Sequence, residues 1–165
     1  MRIFVDADAC PVKKIILHES SKYGIEVFLV HSTCHYSRKI EYENAYHIMV
    51  DNESQAADMA IMNKAQKGDI VVTGDFGLAA LVLGKGVHAI SFNGKVYKND
   101  NIESMLLERH LSATIRRSGG RVKGPAKRNK ADDIYFHKNL NILINRIMQD
   151  IWIRYRINII FVKYT

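Results

Sequence analysis

Short apolar runs, each ended by a polar turn, alternate along this chain with longer segments whose apolar residues recur every three or four positions. Ile3-Phe4-Val5 is the first run and predicts a fully buried strand. It stops at Asp6, and a helix over 11–23 comes next, with Pro11 suited to its first position and Gly24 as its stop. Further strands are predicted over 26–31, 45–50, 69–73 and 87–92. Helices are predicted over 53–66 and 76–83, the former capped by Asn52 with Gln55 reaching back. Residues 32–44 show no clean period and read as a loop with a short helix. Asn93-Gly94 signals a turn, with 95–97 as a small hairpin arm. Strands alternating with helices imply βαβ units, and so a single α/β domain with a mainly parallel sheet flanked by helices.

The last third is helical in pattern. Residues 101–117 read as a helix burying Ile102, Met105, Leu106 and Leu111. Gly- and Lys/Arg-rich residues 118–130 read as a loop. Phe136, Leu140, Leu143, Ile144 and Ile147 then recur at helical spacing through 134–148. From Ile151 the pattern changes: Ile151, Ile153, Tyr155, Ile157 and Ile159 alternate with Trp152, Arg154, Arg156 and Asn158, which is a strand period. The expected division is a domain over 1–148 and an atypical tail over 149–165, strand-like or loosely packed.

At 165 residues and 47% apolar content, the chain can bury a proper core. It has no apolar stretch of the roughly 18 residues that a membrane span needs. With the core strand at the very start, no signal peptide is expected, and two cysteines, Cys10 and Cys34, are too few for a disulfide framework. A cytoplasmic, reduced protein is expected. The net charge of +7 is one segment's property. Between positions 109 and 131 stand eight Lys or Arg and no Asp or Glu, leaving 16 basic against 17 acidic residues elsewhere. That concentration favours a polyanion partner, the alternative being a solvated loop.

The candidate chemistry lies in aspartates at strand ends. Asp6 and Asp8 end the first strand, Asp75 the fourth, and Asp58 lies on the helix leading into it. Strands one and four can be neighbours at the switch point of a doubly wound sheet, where ligands bind. Carboxylates ~4 Å apart repel by roughly 4 kcal/mol at an effective dielectric near 20. A magnesium or manganese ion would compensate them. Such a site, beside a basic segment, suits phosphodiester hydrolysis of a nucleic acid. In the metal-free reading, Asp6 or Asp8 caps the first helix and Asp75 the helix after strand four. Cys10, near a helix start, is read as buried and inert, and His31, Cys34 and His35 as loop residues rather than a zinc site. Ser54 reads as a plain cap, and Lys13 and Lys14 as a solvated helix face with phosphate binding as the alternative.

Val5-Asp6-Ala7-Asp8-Ala9-Cys10-Pro11 closely resembles the opening of the YaiI/YqxD family of uncharacterised bacterial proteins. Ala57-Asp58 with Ile61 resembles that family's middle motif. Gly68-Asp69, Thr73, Asp75, Leu78-Ala79 and Lys85-Gly86 resemble its fourth-strand block, and Arg117-Ser118-Gly119, Gly124-Pro125, Asp132, Phe136 and Leu140 its C-terminal block. Two places depart from it: Met59-Ala60 follow Asp58 where a polar or acidic residue is common, and Arg128 and Asn129 replace an aromatic and a small hydroxyl residue. The resemblance implies a PIN-like domain related to metal-dependent ribonucleases, with ligands at Asp6, Asp8, Asp58 and Asp75. On this reading Asp6 and Asp75 are catalytic, and Arg116, Arg117, Arg121, Lys123, Lys127 and Arg128 bind nucleic acid, with RNA as the expected partner. A homodimer is compatible with the sequence.

Two other classes compete. Asp6-x-Asp8 after an apolar strand also resembles the haloacid-dehalogenase phosphatases, with Asp6 as nucleophile and Asp8 as general acid. Ser32 or Thr33 and Gly74-Asp75 would echo their later motifs, but residues 76–83 lack the further acid those enzymes carry. A non-catalytic RNA-binding module, with structural aspartates, is the third reading.

Overall fold

The computed structural model describes residues 1–33, 43–53, 55–122, 124 and 126–163. Eleven elements succeed one another: β1 (Ile3–Asp6), α1 (Lys13–Lys22), β2 (Val27–Ser32), β3 (Ala45–Val50), α2 (Ala56–Lys64), β4 (Ile70–Val72), α3 (Phe76–Gly84), β5 (His88–Ile90), β6 (Val96–Tyr97), α4 (Asn99–Arg117) and α5 (Lys130–Lys163). The strands form one sheet in the order β3-β2-β1-β4-β5-β6, parallel except for β6 against β5. β1 lies between β2 and β4. The chain therefore builds outward on one side of β1 and then returns to build on the other. The crevice opens beyond the carboxyl ends of β1 and β4.

Alternation along the central strands sends side chains to both faces. Ile3, Val5, Leu29 and Val72 pack with Ile16 and Leu17 of α1 and with Phe136, Leu140, Leu143, Ile144 and Ile147 of α5. Phe4, Val30 and Val71 point the other way, onto Ile61 of α2, Leu78, Ala79 and Val82 of α3, and Ile102 of α4. Both faces are covered, which is why these strands read as unbroken apolar runs. Below the crevice, Arg2 and Asp69 tie β1 to the turn before β4. The Asp69 carboxylate accepts from Arg2 Nη2 at 2.7 Å, from the Arg2 amide at 2.9 Å and from the Gln66 amide at 2.9 Å.

Four local expectations change. The first helix begins at Lys13, with Val12 at its N-cap, so Pro11 lies in the preceding turn. Asn52 does not cap α2. Its side-chain oxygen accepts from Thr33 Oγ1 at 3.1 Å, and Gln55 stands at the N-cap with left-handed backbone, φ +68°, and no side-chain cap bond. Leu111 is exposed rather than buried, because α4 meets the sheet through its first turns, where Ile102 is buried and Met105 and Leu106 partly so. The tail is not a strand: α5 runs unbroken to Lys163. Ile151, Trp152, Ile153 and Tyr155 on its later turns are each about half exposed or more. Among the described residues no helix is long and apolar enough to cross a membrane.

Candidate functional site

Three aspartates are brought to the crevice by different elements. Asp6 is the last residue of β1, and its carboxylate accepts from Thr73 Oγ1, just past β4, at 3.1 Å. Asp75 lies two residues beyond Thr73 and caps α3: its Oδ1 accepts from the amides of Gly77 at 2.6 Å and Leu78 at 3.1 Å. Asp58 comes in the first turn of α2. The Asp6 carboxyl has a raised pKa, first through burial, then through the charges of Asp8 and Asp75, against the opposing Thr73 hydroxyl. Asp58 is also raised, by burial and then by Asp75 and Asp6. The Asp75 charge thus acts on both, and that of Asp6 on Asp58.

Asp8 turns toward β2 instead. Its carboxylate accepts from the Ser32 amide at 3.1 Å and the Ser32 hydroxyl at 2.6 Å, and lies 3.9 Å from His31 Nδ1. His31 is buried and stacks on His47 of β3, with Nε2 3.1 Å from His47 Nδ1. Cys34 and His35 lie outside the described residues. Cys10 is buried, which pushes its thiol up to about 12, as suits an inert side chain.

The rim also carries cations. Arg109 of α4 reaches Asp75 Oδ2 at 3.1 Å and stands over the Phe76 ring, 5.8 Å from its centroid. Arg109 belongs to the basic segment, but only the packing of α4 on α3 shows that it meets an aspartate. Thr73 and Arg109 are the residues that sequence reading left out of the site; strand-end position marks the first, and no local signal marks the second. Lys13 Nζ donates to the Ala7 carbonyl at 2.7 Å, holding the turn after β1. Arg116 and Arg117 are exposed on the last turn of α4, about 10 Å further along the helix axis than Arg109. Arg121 and Lys127 are exposed as well. Arg128 is tied down, donating to Asp133 Oδ1 at 2.8 Å and to the Phe92 carbonyl at 2.8 Å. Lys123 and Ser54 lie outside the described residues.

As they stand, no three acidic, histidine or cysteine side chains among the described residues are grouped to hold one ion. The donor set nevertheless fits a hard cation in kind. It is all oxygen, and Asp6 and Asp58 are raised first by burial and then by neighbouring negative charge, the part that a dication would offset.

Comparison with known proteins places this geometry in a family. The model described as "Uncharacterized BCR, YaiI/YqxD family" matches residues 4–146. A "UPF0178 protein" of Alkaliphilus metalliredigens is 46% identical, over 91% of this chain and 96% of its own length. One from Clostridium tetani is 46% identical, over 88% and 98%, and one from Bacillus cereus is 50% identical, over 76% and 86%. The solved chain titled "Crystal structure of Rae1 (YacP) from Bacillus subtilis" aligns with a TM-score of 0.41 at 17% identity, covering 72% of this chain and 84% of that one. The match over residues 4–146 includes all four aspartates and leaves out most of the apolar end of α5; on it, the chain belongs to the YaiI/YqxD family.

Proposed function

We propose that the chain is a metal-dependent phosphodiesterase acting on RNA, with magnesium or manganese held by Asp6, Asp58 and Asp75 and with Asp8 beside them. The observation that carries the reading is the approach of Asp6, Asp58 and Asp75 at the switch point of the sheet, where burial, and after it neighbouring carboxylates that include Asp75, raise both Asp6 and Asp58. A hard dication there supplies charge neutralisation and an oriented water for in-line attack on phosphorus. The chain's own residues do the rest. Thr73 fixes Asp6 through its hydroxyl, and the start of α3 fixes one oxygen of Asp75. Arg109 stands where a phosphate oxygen would meet a guanidinium. Arg116, Arg117 and Arg121 continue the positive track for a nucleic-acid backbone. The haloacid-dehalogenase reading is the weaker one: it needs Asp8 as a proton donor, and the Ser32 amide and hydroxyl both donate to that carboxylate.

The test is manganese titration by calorimetry of the wild type against Asp6→Asn and Asp75→Asn, with circular dichroism to confirm folding. A tenfold or greater loss of affinity in each variant is expected, and unchanged affinity in both overturns the reading. RNA affinity should also fall with added salt, with a slope of roughly −3 for four phosphate contacts to a single strand.

A further inference from the structure

Beside the aspartates, α2 and α3 leave a hollow of about 450 Å³. Asp58 and Asp75 form one wall. Met62 and Leu78 line it, and Met59 and Leu81 stand at its surface, 60% and 57% exposed. Scattered apolar side chains on a surface are ordinary, but these share one concavity with two acids of the proposed site. Gln55 stands on the lining with φ +68°, the sole positive-φ residue other than glycine among the described residues. Unfavourable backbone of this kind concentrates where ligands are held. Its amide carries both a donor and an acceptor.

We propose that this hollow is a nucleobase subsite, taking the base of the nucleotide next to the phosphodiester held at the aspartates. The inference rests on the phosphodiesterase reading and deepens it. The occupant must be uncharged or nearly so, because no lysine or arginine among the described residues stands on the lining to pair with an anion. It must present a broad apolar face to two thioethers and two leucines, and polarizable sulfur packs well against aromatic rings. It must also offer an edge to an amide that both donates and accepts, as a base does on its Watson–Crick side. The volume lies within the range of small-molecule sites and admits a base with its ribose. A base stacked here leaves its phosphate at the acids and its neighbours on the side of Arg109.

The test uses the full chain with calcium in place of manganese, so that binding is read apart from cleavage. Two fluorescent eight-residue probes are compared by anisotropy: oligoadenylate, and an abasic ribose-phosphate oligomer of the same length. The wild type should prefer oligoadenylate by roughly tenfold, the scale at which stacking of one base contributes. The double variant Met59→Ser/Leu81→Ser changes two exposed side chains. It should lose that preference while keeping wild-type affinity for the abasic probe and for manganese. Gln55→Gly, which the backbone accepts, should reduce discrimination between oligoadenylate and oligouridylate. Equal binding of the two probes by the wild type, or an undiminished preference in the double variant, overturns the subsite while manganese affinity leaves the phosphodiesterase reading standing. A wild type that binds neither manganese nor either oligomer overturns both.

Discussion

Arg109 Nη1 lies 3.1 Å from Asp75 Oδ2, joining the middle of α4 to the cap of α3 across the mouth of the crevice. Burial pushes the Asp75 carboxyl up, but the Leu78 amide, the Arg109 guanidinium and the Gly77 amide together bring it below its ordinary value. Asp75 is thus the acid kept charged, beside two that are pushed toward protonation.

Arg109→Gln should raise the Asp75 pKa, which a carbon-detected NMR titration of the carboxyl would track. The pair is exposed, with 52% and 36% of the two side chains accessible, so stability should change by less than about 1 kcal/mol. On the proposed function the same variant binds manganese more tightly, since a competing cation is gone, and binds RNA more weakly. An unshifted Asp75 titration would show that the contact is not formed in solution.

Glu19, on α1, is 2% exposed at the contact with α5. Burial alone would raise its pKa, yet hydrogen bonds from Lys22, Asn141 and His137 lower it to about 2. A depressed carboxyl contributes stability that is complete above its unfolded value, here 4.5, and is lost as pH falls toward 2. Urea midpoints should therefore decline as pH falls from about 4.5 toward 2, and Glu19→Gln should flatten that decline while lowering stability at neutral pH. A variant as acid-sensitive as the wild type would remove Glu19 as the cause.

Gly94, in the turn between β5 and β6, has φ +80°, and a Cβ there would sit 2.7 Å from the Phe136 Cα on α5. Gly94→Ala combines left-handed strain with a backbone clash and should destabilise by about 3 kcal/mol in urea unfolding. Gly24 also has positive φ but meets nothing within 4 Å, so Gly24→Ala carries the strain alone and should cost about 1 kcal/mol. Equal losses at the two sites would mean that the turn does not press on α5.

Removing residues 149–165 should leave the domain folded. Among the described residues Ile147 is the last of α5 in the core, and Ile151, Trp152, Ile153 and Tyr155 are about half exposed or more. A stability change under about 1 kcal/mol and improved solubility are expected from thermal unfolding and light scattering. A large loss would show that the end of α5 packs on the domain more closely than these exposures imply.

Local pattern was enough to locate the strands and most of the helices. Ile3, Phe4 and Val5 announce a strand covered on both faces, Asn93-Gly94 a hairpin, and the spacing from Phe136 to Ile147 the buried stripe of α5. The candidacy of Asp6 and Asp75 was legible because a strand end points at the crevice whichever strands flank it. Three things awaited the tertiary structure, for different reasons. The influence of Asp75 on Asp6 depends on β1 lying beside β4, a pairing 67 residues apart that no window of sequence contains. Arg109 is one arginine of a basic segment until α4 packs on α3 and selects it. The alternation from Ile151 to Ile159 favours a strand when read alone, but it continues a helix already formed, and extending a helix is far easier than nucleating one.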